Sequence, residues 1–66
     1  MNIQFKKGDK VFSDIKGKNG IVSIVDHTMT MRYPIKVIFE DNDHEYYTCD
    51  GRLYYDSIYS DLILKN

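Results

Sequence analysis

Turn-forming residues divide this 66-residue chain into short apolar runs. Glycine, proline, asparagine and aspartate recur at regular intervals, in Gly8-Asp9, Gly17-Lys18-Asn19-Gly20, Tyr33-Pro34, Asp41-Asn42-Asp43 and Asp50-Gly51. Runs this short between regular turns predict an all-β meander, because such turns join neighbouring antiparallel strands directly. The chain is also too short for two domains. We therefore predict a single all-β domain over residues 1–66.

Five runs are predicted to be strands, at residues 9–15, 20–26, 35–40, 44–48 and 62–64. In the third run Ile35, Val37 and Phe39 alternate with the other residues, so this face is predicted to lie in the core. In the second run Val22 and Ile24 are expected to share one face. A sheet of this length has no second sheet to pack against, and we predict that it curls into a small, partly open barrel.

Two of the turns have residues that tolerate a positive φ. Asn19-Gly20 is predicted to form the tight hairpin turn between the first two strands. Asp41-Asn42-Asp43 is predicted to do the same between the third and fourth strands. Pro34 is placed at the entrance of the third strand, where its missing N–H disturbs no strand pairing.

The composition of the chain indicates which cellular compartment and which kinds of partner to expect. Cys49 is the only cysteine, so no intramolecular disulfide is expected, and a reducing compartment is favoured. The sequence has no secretory leader pattern and no apolar run long enough to cross a membrane, which predicts a cytoplasmic protein. Nine basic and ten acidic residues do not provide the basic excess of a general nucleic-acid binder.

Metal, cofactor and enzyme functions are weakly supported. An EF-hand loop counted from Asp41 would place Tyr46 at its glycine position and Arg52 at its glutamate position, so calcium binding is not predicted. His44 and Cys49 are too few for a structural zinc site. Cys49, His44 and a neighbouring aspartate have the right chemistry for nucleophilic catalysis, but they are ordinary turn residues in a domain with little room for a pocket. We predict a non-enzymatic protein without cofactor or metal.

Six tyrosines in 66 residues are the most unusual feature of the sequence. Tyrosine is enriched at binding surfaces because it combines an apolar ring with a polar end, although some tyrosines are expected to fill the core. Tyr46 and Tyr47 must point to opposite faces of their strand. The candidate partner-binding residues are Tyr33, Tyr46, Tyr47, Tyr54, Tyr55, Met29 and Met31.

Basic residues next to aromatic ones suggest a second kind of ligand. A cation beside an aromatic ring suits single-stranded nucleic acid, which gives the alternative candidate residues Lys16, Lys18, Arg32 and Arg52. Aspartates in or near the same loops would repel phosphate. Arg52 also has a structural interpretation, in which its guanidinium ties the Asp50-Gly51 turn to a carboxylate.

Several of these residues form patterns that resemble known families. Phe5-x-x-Gly8-Asp9-x-Val11 followed by Gly17-x-x-Gly20-x-Val22 resembles the opening of KOW and Tudor-like SH3-type barrels. The whole chain is similar to a family of short, mostly uncharacterised proteins from bacteriophages and bacterial genomes. The motifs shared with that family are Tyr33-Pro34-Ile35-Lys36-Val37-Ile38-Phe39 and Tyr47-Thr48-Cys49-Asp50-Gly51-Arg52. The resemblance implies a five-stranded SH3-like barrel and no catalytic activity.

Together these observations predict a small binding module. The leading hypothesis is a phage-type protein that binds and modulates a host protein through its tyrosine-rich face. The alternative is a KOW-like nucleic-acid-binding module. A third hypothesis, an aromatic cage for a cationic group, requires three aromatic side chains to converge on one site. The oligomeric state is left open.

Overall fold

The computed structural model describes residues 3–28 and 32–65. The strands are β1 (Lys10–Ser13), β2 (Lys18–Val25), β3 (Ile35–Phe39), β4 (His44–Tyr47) and β5 (Leu62–Leu64). The described residues form an all-β structure without helices, as predicted. Within this part of the chain, therefore, no helix is long and apolar enough to span a membrane. Met29 and Met31 lie outside the described residues.

The five strands form one antiparallel sheet in the order β4-β3-β2-β1-β5. The first four strands follow one another as a meander, whereas β5 returns to the far side of the sheet and pairs with β1. In that pairing Phe12 lies opposite Ile63, and Val11 lies opposite Leu64. The position of β5 at this edge of the sheet is therefore not determined by the short turns between neighbouring strands.

The core lies on one face of the sheet. Ile35, Val37 and Phe39 of β3 are buried, with exposures of 0%, 0% and 2%, which confirms the predicted inward face of this strand. They belong to a buried cluster that contains residues from every strand and from the segment before β1. Its other members are Phe5, Val11, Val22, Tyr47 and Leu62.

A β-bulge in β2 changes which residues of that strand face the core. Val22 pairs with Val37, but Ile24 pairs with Lys36, so Ser23 is an extra residue in β2. An extra residue reverses the alternation beyond it. Val22 is therefore 1% exposed and Ile24 is 52% exposed. The prediction that these two residues share one face was wrong for this reason.

The first hairpin turn lies three residues earlier than predicted. Asn19 and Gly20 are part of β2, and the turn occupies residues 14–17. Its positive φ of 66° belongs to Gly17, whose N–H donates to the carbonyl of Ser13 at 2.8 Å. By contrast, the predicted turn between β3 and β4 is confirmed, with a φ of 68° at Asn42.

Gly20 is required for close packing. A Cβ at this position would lie 2.7 Å from Val37 Cγ1 and 2.9 Å from Phe39 Cδ1. We predict that Gly20→Ala lowers the free energy of unfolding by about 1–3 kcal/mol, because an added methyl group overpacks the core. Urea denaturation followed by circular dichroism measures this change.

Gly17→Asn is the matched control for that prediction. Nothing lies within 4 Å of a Cβ built at Gly17, and asparagine tolerates the left-handed conformation. We expect this variant to change stability by less than about 1 kcal/mol. Equal stability of Gly20→Ala and the unmodified protein would show that β2 does not pack closely on β3 at this point.

Candidate functional site

A buried hydrogen-bond network joins distant parts of the chain. One carboxylate oxygen of Asp61 accepts hydrogen bonds from the Ser13 hydroxyl and, at 3.1 Å, from the Tyr47 hydroxyl. The other oxygen accepts the backbone N–H of Ile15 at 2.7 Å. The side chains involved are buried, with Ser13 and Tyr47 at 0% exposure and Asp61 at 4%. The network connects the end of β1, the end of β4 and the residue before β5.

Tyr47 belongs to this network and not to the accessible surface. Burial raises the pKa of its hydroxyl above the ordinary value, and the hydroxyl donates to Asp61. Its neighbour Tyr46 points to the opposite face and is 43% exposed, as the alternation predicts. Tyr47 is therefore removed from the candidate binding residues.

Arg52 fixes the loop that follows β4. Its Nε donates to Asp50 Oδ1 at 3.0 Å, and its Nη1 donates to the Ser57 carbonyl at 2.7 Å. Partial burial raises the pKa of the Asp50 carboxyl, but hydrogen bonds from Thr48 and Arg52 outweigh it and leave the pKa below its usual value. Arg52 thus has the structural role of tying the turn to a carboxylate.

Three tyrosines from separate parts of the chain line one open depression. Tyr46 is on β4, Tyr33 precedes β3, and Tyr54 lies in the loop after Arg52. Together with Leu53 and Glu45 they surround a volume of about 320 Å³, which we call the tyrosine pocket. Tyr54 is 60% exposed, so its ring is available for contact.

A second depression adjoins the tyrosine pocket. It has a volume of about 440 Å³ and shares Tyr33 and Tyr46 with the first. Its other walls include Pro34 and Lys36, and Lys36 Nζ lies 5.9 Å from the centre of the Tyr46 ring. Because Tyr33 and Tyr46 line both depressions, we call the two together the tyrosine groove.

Tyr55 is a further exposed aromatic residue, and it lies beside this groove. Arg32 stacks on the Tyr55 ring, with its guanidinium carbon 4.0 Å from the ring centre. The Tyr33 hydroxyl accepts the backbone N–H of Tyr55 at 3.3 Å. On the same loop Ile58 and Tyr59 are 84% and 77% exposed. Ile58 was not among the predicted binding residues, because nothing near an isolated isoleucine in an irregular segment indicates that it is exposed.

Glu45 and Leu53 were also missed as pocket residues. Glu45 lies between His44 and Tyr46, and no pattern in the sequence marks it or Leu53. Only the fold brings the two residues to one pocket. The structure therefore adds a carboxylate and an apolar wall to the predicted set of tyrosines.

Three of the four candidate basic residues are engaged with acidic ones. Lys16 pairs with Glu45 at 3.3 Å, and Lys18 pairs with Asp41 at 2.8 Å and with Asp43 at 3.3 Å. The hydrogen bond with Asp41 raises the pKa of Lys18, and the same bond lowers the pKa of Asp41. Lys16, Lys18 and Arg52 thus each face a carboxylate.

The residues considered for metal binding remain apart. His44 makes an edge-to-face contact with Tyr46, with ring centres 5.8 Å apart, and Cys49 is half-buried after β4. Across residues 3–28 and 32–65, no group of three or more His, Cys, Asp and Glu side chains has an arrangement that could hold a metal ion.

The Asp61 network predicts a large effect of one substitution. Asp61→Ala would leave the Ser13 and Tyr47 hydroxyls and the Ile15 N–H without their acceptor. We predict a loss of about 3 kcal/mol or more, since each buried group left unsatisfied costs about 1–3 kcal/mol. Thermal melting followed by circular dichroism measures it. Asp56→Ala, at an exposed loop position, is the control and should change stability by less than about 0.5 kcal/mol. Equal melting temperatures for the two variants would contradict the network's structural role.

Comparison with known proteins adds no relative from which to assign this site. No protein-family model, no curated protein and no solved structure matches the chain.

Proposed function

We propose that this protein is a non-enzymatic protein-recognition module and that a partner protein binds in the tyrosine groove. The observation that carries the proposal is the convergence of Tyr33, Tyr46 and Tyr54 on one open pocket. Tyrosine rings provide large contact area at low entropic cost, and they are enriched among the residues that dominate binding energy. The groove has room for side chains of a partner's surface segment.

The charges near the groove favour a protein over nucleic acid. Two carboxylates, those of Glu45 and Asp26, and one cation, that of Lys36, line the groove, so its lining has no basic excess that would attract phosphate. Lys16 and Lys18, which the nucleic-acid hypothesis needs, are paired with carboxylates. Nucleic-acid affinity comes chiefly from cations that neutralise phosphates, so cations already engaged in ion pairs support the protein-binding proposal.

The pocket also meets the condition set for the third hypothesis. Three tyrosines line it together, and Glu45 adds a carboxylate, which a partner's cation would share with Lys16 at 3.3 Å. Aromatic faces attract cations. We therefore propose, as a second candidate, that the partner inserts a lysine or arginine side chain into the tyrosine pocket.

The fold and origin are part of the proposal. The five-stranded antiparallel sheet and the Gly8-Asp9 opening support an SH3-like barrel of the KOW/Tudor-like type. A phage-type protein that modulates a host protein in the cytoplasm is proposed on the resemblance of the two tyrosine-containing motifs.

Pull-down from bacterial lysate with matched variants tests the proposal. We expect the unmodified protein to retain a stoichiometric protein that resists nuclease and high salt. Tyr54→Ala and Tyr46→Ala should each lower its recovery at least about tenfold, as for residues that dominate an interface. Tyr59→Ala removes an exposed ring that does not line the pocket and should leave recovery unchanged.

Two results would contradict protein recognition by this groove. Retained nucleic acid that washes off with salt would favour the KOW-like alternative, with Lys16, Lys18 and Arg32 as the next residues to substitute. A protein retained equally by all three tyrosine variants would place the binding surface elsewhere. Circular dichroism of each variant establishes that a lost interaction is not lost folding.

A further inference from the structure

Two loops of the protein are joined beside the tyrosine groove. The backbone N–H of Tyr55, in the loop between β4 and β5, donates to the Tyr33 hydroxyl, in the loop between β2 and β3, at 3.3 Å. Arg32, the residue before Tyr33, places its guanidinium carbon 4.0 Å from the centre of the Tyr55 ring. Two adjacent residues of one loop thus contact a single residue 22 positions after Tyr33. We call this set of contacts, formed by Arg32, Tyr33 and Tyr55, the loop junction.

The loop junction is attached to two walls of the tyrosine pocket. The N–H that Tyr55 donates belongs to the peptide bond that follows Tyr54, so the hydrogen bond holds the backbone next to the Tyr54 ring. The acceptor is the side chain of Tyr33, which itself lines the pocket. The third tyrosine, Tyr46, is on a strand and is held by the sheet. The Ser57 N–H donates to the Tyr54 carbonyl at 3.0 Å, so the turn that carries Tyr54 is fixed as a unit.

Arg32 has the chemistry that this junction needs. A guanidinium is planar and weakly hydrated, and it interacts favourably with the face of an aromatic ring. The ion pairs between described residues involve Lys16, Lys18 and Arg52, and Arg32 is in none of them. Within the described chain its guanidinium is therefore oriented by the Tyr55 ring and not by a carboxylate.

We propose that Arg32 is a positioning residue of the tyrosine groove, which holds Tyr55 and thereby keeps Tyr54 beside Tyr33. This inference rests on the proposed function, because it concerns how the protein-binding groove is formed. It also gives Arg32 a different role from the one in the nucleic-acid hypothesis. A positioning residue acts through Tyr55, whereas a cation that binds phosphate acts on the ligand itself.

Backbone relaxation of the isotopically labelled free protein tests the loop junction without any partner. We expect amide order parameters of about 0.85 at Tyr54 and Tyr55, the value of a rigid backbone, and a fall towards about 0.6 in Arg32→Ala and in Tyr55→Leu. Tyr55→Phe keeps an aromatic face for the guanidinium and should keep the rigid value. Lys7→Ala removes an exposed cation that lines neither depression and is the control. Unchanged order parameters in Arg32→Ala overturn the proposal.

Recovery of the partner protein in the pull-down tests whether the loop junction serves the groove. Arg32→Ala and Tyr55→Leu should each lower recovery about threefold, as expected for the loss of an exposed cation–aromatic contact. The double variant should lose no more than either single variant, because both substitutions remove the same contact. Losses that multiply in the double variant would mean that the partner contacts each residue separately, and they overturn the positioning role.

Tyr54→Ala in the same pull-down separates this proposal from the proposed function. If Tyr54→Ala lowers recovery and Arg32→Ala does not, the groove binds its partner without the loop junction, and the positioning role is overturned. If Tyr54→Ala leaves recovery unchanged, the proposed function fails. The order parameters of the free protein then decide by themselves whether Arg32 holds Tyr54 in place.

Discussion

The buried carboxylate of Asp61 is the interaction on which the rest of the structure depends. A carboxylate removed from water must find hydrogen-bond donors inside the protein. Asp61 finds three, from Ser13, Tyr47 and the Ile15 backbone. These donors hold the first hairpin turn, the end of β4 and the start of β5 at fixed distances from one another. The Ser13 hydroxyl extends the network by accepting the Lys16 N–H at 3.1 Å.

The same network explains how the long loop of residues 48–61 presents aromatic rings. The loop between β4 and β5 is anchored at its start by Tyr47 and at its end by Asp61. In its interior the Gly51 carbonyl accepts the N–H groups of Asp61 at 2.9 Å and Leu62 at 3.0 Å, and Arg52 bridges Asp50 and Ser57. Side chains on so constrained a loop are held ready for binding, which lowers the entropic cost of association.

Sequence analysis predicted the local features of this fold. The clean alternation of Ile35, Val37 and Phe39 was enough to identify the inner face of β3, because each strand residue alternates sides wherever no bulge intervenes. Asn42 was predicted at the turn between β3 and β4 because asparagine tolerates a positive φ. Both features depend only on residues that are close together in the sequence, so the sequence was enough to predict them.

Features that depend on distant residues were not predictable in the same way. The bulge at Ser23 follows from how β2 pairs with β3, and the turn at Gly17 follows from the pairing of β1 with β2. The burial of Asp61 depends on Ser13, a residue 48 positions away. For the site, alternation predicted that Tyr46 and Tyr47 would separate, but only the closed network shows that Tyr47 is the inner one. The convergence of Tyr33 with Tyr54 depends on the fold for the same reason.

An NMR titration is the direct test of whether a partner protein binds in the tyrosine groove. The measurement follows backbone amide signals of the isotopically labelled protein as the captured partner is added. The account predicts shift changes centred on Tyr33, Tyr46, Leu53 and Tyr54, with little change at Lys18. Changes centred on Lys18 and on the turn between β3 and β4, with none at these four residues, would contradict it.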